Sequence, residues 1–234
     1  MAAATATTVS VLQQTRTIPT IFVLVIDPVG AGFVASLRHP GANATGFTNL
    51  EPTISTKWLE LLKEIAPSIS RVALLFNPET APSFEYYLNP FKAAAPSFGV
   101  EAIAASIHDK SELESVVASY AREPNGALIV IPDTFSVTHR AEIVSLATRY
   151  RIPTIYFRRL FTDAGGLLSY GFNLYEQFSD AAAYIDKVFN GEKPSDLPVQ
   201  APSKFELVIN LKTANVLGLT VPPSMLTRAD EVIE

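Results

Sequence analysis

The sequence predicts an α/β protein built as two doubly wound parallel-sheet lobes, the first of them incomplete, and three observations lead there. From Pro52 onward, short apolar runs alternate strictly with helix-period segments, the rhythm of a parallel sheet covered on both faces and joined by right-handed crossovers. Several of those runs, such as Ala127–Ile131, are apolar without interruption, as strands buried on both faces are, and end in polar residues. After about residue 160 the alternation breaks at Gly165-Gly166, and the last strand and helix, Phe205–Ile209 and Leu211–Leu217, do not extend it.

Taken in order, residues 7–14 predict the end of a helix and Ile18–Ile26 a strand, whose carboxyl end carries Asp27-Pro28-Val29-Gly30. The spacing of Val29, Phe33 and Leu37 predicts a short helix ended by Pro40-Gly41, and Asn43–Phe47 a brief strand. The regular block then predicts helices over 56–65, 84–98, 111–121 and 137–150, with strands over 71–76, 100–105, 127–131 and 153–157. Ser111 with Glu114 reads as a capping box, and Pro82-Ser83 as the entry to the second of these helices. A short strand after Gly165-Gly166 and a helix over 175–189 lead to the closing segment.

This predicts a first lobe from residues 1–50 and 167–234 and a second from 51–166, with crossings near 48–53, 160–166 and 171–176. The first lobe has too few strands to close its own sheet, which leaves an open edge and an uncovered face. The expectation is that its amino-terminal portion is missing, and that the chain as given is either a homodimer through this lobe or poorly soluble.

Composition narrows the function. A net charge of −5 over 234 residues, with no run of Lys or Arg, offers nucleic acid and anionic membranes no purchase. The chain has no Cys, which removes thiol catalysis, disulfides and thiolate metal sites, and its three histidines, His39, His108 and His139, are far apart. No metal and no cofactor are expected. The start lacks a basic segment followed by an apolar core, so no signal peptide is read there, and no apolar run approaches the ~20 residues that span a bilayer.

Ligands of open parallel sheets sit at the carboxyl ends of the strands. That rule selects Asp27, Asn77, Asp133 and Tyr156, each at such an end, as candidate ligand-binding residues. Asp27 and Asp133 are candidate partners of a ligand ammonium, against the plainer readings of a turn residue before Pro28 and a helix cap. The Asn77–Ser83 link, with Thr80 and Ser83, is a candidate anion seat at a helix start, against ordinary capping. Phe76, Phe135, Tyr156, Phe157, Tyr170 and Phe172 fall near strand ends, so that two or three of these six are expected to offer aromatic faces to a ligand. Trp58, at helical spacing with Leu61, Leu62 and Ile65, reads as packing, and His139 as a helix histidine, not a base for Ser136. No Gly-x-Ser-x-Gly elbow, phosphate loop or complete Gly-x-Gly-x-x-Gly fingerprint is present, and no catalytic set assembles.

Several long stretches resemble one family in the same order along the chain. They are Ile21–Leu37, Asn43–Phe47, Lys57-Trp-Leu-Glu-Leu-Leu-Lys-Glu-Ile-Ala-Pro67, Lys204–Ala214 and Leu217-Gly-Leu-Thr-Val-Pro-Pro223. The family is that of the substrate-binding proteins of ABC importers. The resemblance implies the type I periplasmic-binding fold, a small solute such as an aromatic amino acid clamped in an interlobe cleft by hinge closure, a membrane ABC permease as partner, and a periplasmic location. It implies no enzyme activity. Members normally begin with a secretion signal and further strands of the first lobe, which this sequence does not show. The competing readings are the ligand-sensing core of a transcription regulator and a flavodoxin-like small-molecule enzyme.

Overall fold

The computed structural model describes residues 1–49 and 51–234. The expected lobe boundary at residues 50 and 51 falls in part on Leu50, outside the described residues. In chain order the elements are β1 (Ala2–Ala3), α1 (Thr5–Gln14), β2 (Thr20–Val25), β3 (Ala44–Thr48), α2 (Ile54–Ile65), β4 (Arg71–Phe76) and α3 (Glu85–Ala94). There follow β5 (Glu101–Ser106), α4 (Lys110–Ala121), β6 (Gly126–Val130), α5 (Thr134–Thr138), α6 (Arg140–Arg149), β7 (Thr154–Tyr156) and α7 (Leu160–Asp163). The chain closes with β8 (Leu168–Phe172), α8 (Leu174–Phe189), β9 (Phe205–Asn210), α9 (Leu211–Leu217), α10 (Pro223–Arg228) and β10 (Glu231–Ile233). They form two compact units, the first of residues 1–51 and 172–205, the second of 52–171 and 206–234.

Unit 2 is organised by a seven-stranded sheet in the order β10-β9-β8-β7-β6-β4-β5. Its central ladders, β4 with β5 and β6, and β6 with β7, are parallel, as the βα alternation requires. β4 and β6 are buried along almost their whole length, which is why their sequences carry no polar alternation. α2 brings Trp58, Leu59, Leu61, Leu62 and Ile65 into this core on one face. Trp58 is completely buried, donates its indole N–H to the Tyr170 carbonyl at 2.7 Å and lies 5.8 Å from the Tyr87 ring, so it packs as the helical spacing implied.

Unit 1 is smaller: a three-stranded parallel sheet, β1-β2-β3, with a helix on each side. Ile21 and Val23 on one face of β2 meet Ala181 and Tyr184 of α8, with Phe47 of β3 and Leu197. Phe22 and Val25 on the other face meet Phe33, Val34 and Val199, with Val9 and Leu12 of α1. Segment 197–200 runs along β3. Thr45 Oγ1 donates to the Leu197 carbonyl at 2.6 Å, and Phe47 bridges Gln200.

β2 holds one residue more than β3 between the pairs Phe22–Gly46 and Val25–Thr48, a β-bulge. The extra residue puts Leu24 at φ +58, and its amide turns out of the ladder to the side chain of Gln177.

Several expectations are corrected. β9 lies between β8 and β10 in the seven-stranded sheet, so residues 206–234 complete unit 2 and do not return to the first lobe; residues 167–171 belong to unit 2 as well, because β8 lies in the same sheet beside β7. The chain therefore changes unit at 51–52, 171–172 and 205–206, and the crossing expected at 160–166 is instead the short helix α7, whose Phe161 is wholly buried. No helix forms over 29–39. Asp27 takes the Gly30 amide on its side chain, and Gly32 at φ +71 turns the chain before a second helical turn can close. Helix 84–98 tightens to a 3₁₀ turn over Ala95–Phe98, where Pro96 lacks an amide, and Gly99 at φ +65 ends it. Helix 137–150 starts earlier, at Thr134, and is interrupted at His139. The capping box is displaced: α4 is capped by Asp109, which accepts from the Ser111 and Glu112 amides, while Glu112 reaches back to the His108 amide.

Candidate functional site

The carboxyl edge of unit 2 collects four of the predicted residues. Asp133 follows β6 and Pro132 in extended conformation, and there it caps α5 by accepting from the Phe135 amide at 3.0 Å. It is only 6% exposed, and its two oxygens take three more donors: the Asn77 amide at 3.0 Å, the Thr80 hydroxyl, and the Ser136 hydroxyl at 3.4 Å. The carboxylate thus ties the end of β6 to the loop after β4. A buried charge is tolerated in such a place when donors surround it.

Asn77, buried at the end of β4, spans the next strand as well, its side-chain amide donating to the His108 carbonyl at 2.8 Å while its oxygen accepts from the Glu79 amide. The loop closes on itself through the Ala81 amide to the Asn77 carbonyl. At the candidate anion seat the Glu79 and Ala81 amides therefore already donate to acceptors on Asn77. Ser83 is half-buried and does not cap α3 with its side chain; α3 begins after Phe84 with no side-chain cap.

The aromatic candidates divide. Phe76 is buried and stacks on the half-buried Phe84 at 4.1 Å and 12°. Phe135 is half-buried on α5, its ring 4.5 Å from that of His139. Tyr156 is sealed in the core against Phe161 at 4.8 Å, and desolvation holds its phenol well above the ordinary tyrosine range. Phe157 is buried beside the same ring, and Phe172 is buried too. Tyr170 is half-buried, and partial desolvation raises its phenol. The Arg158 guanidinium, after β7, lies 5.2 Å over the Phe157 ring, and burial lowers its pKa from the ordinary arginine value. His139 Nδ1 lies 2.9 Å from Glu142, which Lys110 also contacts; hydrogen bonds from Lys110 and then His139 hold the Glu142 carboxyl below its usual range.

The carboxyl edge of unit 1 presents Asp27, exposed and at φ +45, in a turn held by its own side chain. Beside it the Ile26 amide donates to Thr5 Oγ1 at 3.1 Å, at the start of α1, which has no side-chain cap. Gln177 was not singled out from the sequence. Only 5% exposed, it accepts from the Leu24 amide at 3.2 Å and donates to the Thr48 carbonyl at 2.7 Å, joining the ends of β2 and β3. Among the described residues, no group of three or more His, Cys, Asp or Glu is placed to hold a metal ion, and no helix is long and apolar enough to cross a membrane.

The chain as a whole is similar to several known proteins. A tyrosine-binding protein of Clostridioides difficile is 26% identical over 88% of the chain, which spans 59% of that relative's length. A conserved domain protein of Vibrio cholerae, known from its crystal structure, superposes with a TM-score of 0.88 at 28% identity, over 98% of this chain and 76% of its own. An ABC domain crystallised with L-Trp, from Streptococcus pneumonia, gives 0.89 at 28% identity, over 99% and 77%. These neighbours are type I periplasmic-binding folds, and nothing among them favours the regulator or the flavodoxin-like enzyme. The family model for ABC transporter substrate binding proteins matches residues 1–233, and the chain belongs to that family.

Proposed function

We propose that this chain is the solute-binding component of an ABC importer, and that its solute is an amino acid with an aromatic side chain. The observation that carries the reading is a family match over essentially the whole chain, joined to two relatives whose names record tyrosine and L-Trp binding. The rim residues agree with such a solute. Phe84 and Phe135 are half-buried aromatic faces on the edge of unit 2, and stacking of an aromatic ring beside them adds about 0.5–1.5 kcal/mol beyond area burial. Asp27, exposed on the rim of unit 1, is the proposed partner of the ligand ammonium. Asn77, Thr80 and Ser83 shape the loop, and Asp133 is its strut. Tyr156 and Tyr170 are proposed as support for the rim.

In this reading the loaded protein hands its solute to a membrane permease and acts outside the cytoplasmic membrane; closure around the solute, as in the resemblance above, is part of the proposal. A thermal-shift screen of the twenty amino acids tests it. Tyrosine, tryptophan or phenylalanine at a hundred times its dissociation constant should stabilise the protein by about 2.7 kcal/mol, and Phe135→Ala should weaken that ligand about tenfold. A screen in which no aromatic amino acid shifts the transition defeats the solute assignment.

A further inference from the structure

An amino acid solute carries a carboxylate besides its ammonium and its ring, and several groups that could receive an anion at the carboxyl edge of unit 2 are already engaged. The starts of α4, α5 and α9 are capped by Asp109, Asp133 and Asn210, and the Glu79 and Ala81 amides before α3 donate to Asn77. Lys57, Lys110 and Arg159 hold carboxylates of their own chain, those of Glu60, Glu142 and Glu231. Arg158 stands on the same edge, just past the end of β7. Val130 of β6 pairs with Tyr156, so Arg158 follows β7 alongside the segment that leads to Asp133, whose donors are Asn77, Thr80, Phe135 and Ser136. On the other side the end of β8 passes close, since a Cβ on Gly171 would stand 3.7 Å from the Arg158 Cα.

Arg158 is half-buried, and its guanidinium lies 5.2 Å over the Phe157 ring. Phe157 meets Phe161 edge-on at 5.4 Å, and Phe161 stacks on Tyr156 at 4.8 Å, all three rings being buried. This pedestal of core rings holds the cation in place, so less rotamer freedom is lost when an anion meets it. Burial also deprives the charge of hydration, as its lowered pKa records, and an anion beside it offsets that cost.

We propose that Arg158 receives the α-carboxylate of the solute through a fork of two N–H donors, an assignment that rests on the aromatic amino acid reading above. A planar guanidinium matches a carboxylate in this way, which a lysine ammonium cannot do. Phe84 and Phe135 on the same edge take the ring, and Asp27 of unit 1 takes the ammonium. Arg158 then determines specificity as well as affinity: an aromatic amine or amide of the same shape leaves the half-buried cation facing a neutral group, and is rejected for that reason.

Titration calorimetry of the intact chain tests this, with L-tyrosine beside L-tyrosinamide and L-tryptophan beside L-tryptophanamide. Wild type should bind the acid about tenfold or more tighter than its amide. Arg158→Met should weaken the acid by about tenfold or more and the amide by less than about twofold, so that the preference for the acid collapses. Arg158→Lys keeps the charge without the fork or the stack and should fall between the two. Should Arg158→Met fail to fold, the comparison of acid with amide in Arg158→Lys decides alone. An equal loss on acid and amide would make Arg158 a structural cation of the sheet edge and overturns the assignment, as does an unchanged affinity for the acid. If wild type binds neither amino acid, the solute reading falls and this assignment with it. If wild type binds the acid and the variants keep its full preference over the amide, this assignment falls alone.

Discussion

In unit 2 the carboxyl edge of the sheet is tied by Asp133, which caps the helix that follows its own strand and reaches the loop after the neighbouring one. In unit 1 the corresponding ties are made by Gln177, which comes from a helix 153 residues beyond Leu24 and 129 beyond Thr48. Unit 2 uses a residue that sits where parallel α/β chains ordinarily place a cap. Unit 1 first makes an irregularity, the bulge at Leu24, and then supplies a distant side chain to meet the amide that the bulge turns out of the ladder. The regular sheet is self-specifying through local sequence, whereas the irregular one depends on a long-range partner.

The largest difference between the units should appear where backbone meets backbone. A Cβ on Gly46 of β3 would stand 1.9 Å from the Phe22 carbonyl oxygen, and one on Gly171 of β8 would stand 1.9 Å from that of Phe157. Gly46 also has φ +153, which a side chain disfavours, and Gly171 carries no such constraint. Overpacking costs about 1–3 kcal/mol and backbone strain about as much again, so Gly46→Ala should destabilise by about 3 kcal/mol or more, and Gly171→Ala by less. Equal losses in denaturant titrations would mean that the backbone angle at Gly46 is immaterial.

The next test sets the two ties against each other. Gln177→Leu keeps the bulk but orphans the buried Leu24 amide and Thr48 carbonyl, at about 1–3 kcal/mol for each. Asp133→Asn keeps one acceptor and presents a donor to amides that need an acceptor, at about 2 kcal/mol. Hydrogen exchange should locate each loss: at Leu24 in the first variant, at Asn77 and Phe135 in the second. The sole tryptophan, Trp58, lies in the core of unit 2, so its emission should not change in the folded Gln177→Leu protein. Exchange that quickens equally in both units after either substitution would erase the distinction between a local and a long-range tie.

The same distinction explains what could be read in advance. Strands such as Arg71–Phe76 and Gly126–Val130 were legible because full burial leaves a continuous apolar run, and Asp133 because a cap follows such a strand. Gln177 was hidden: its role exists only once β2 has bulged, and nothing near it in sequence records that. The segment after Asp27 misled through its apolar spacing, since Val29, Phe33 and Leu37 keep a helical period while Gly32 at φ +71 turns the chain. β9 was assigned to the wrong unit because a strand's sequence states that it is buried but not beside which neighbour. Tyr156 stands at a strand end as expected, yet Phe161 of the unforeseen α7 covers it. Strand ends give the edge of a sheet, while the side chains that remain open there depend on what packs over them.

The smallest expected effect concerns local ties alone. Asp109 caps α4 in unit 2, and its carboxyl is held below the usual range first by the Ser111 hydroxyl and then by the Glu112 and Ser111 amides. A depressed carboxylate pKa stabilises the folded state above the unfolded value, and that contribution disappears as pH falls through the lowered folded value. Wild type and Asp109→Ala should therefore differ in melting temperature by a small, constant amount near neutrality, and the two curves should converge in acid. Glu142 has the same sign, but its partner Lys110 is an exposed cation, so Glu142→Ala should lose its effect in high salt. The Asp109 effect rests on hydrogen bonds to a helix start and should survive the salt. A melting-temperature gap for Asp109→Ala that closes in salt at neutral pH would show that the cap acts as a screened surface charge, and the contrast between a local hydrogen-bonded tie and an ion pair would fall with it.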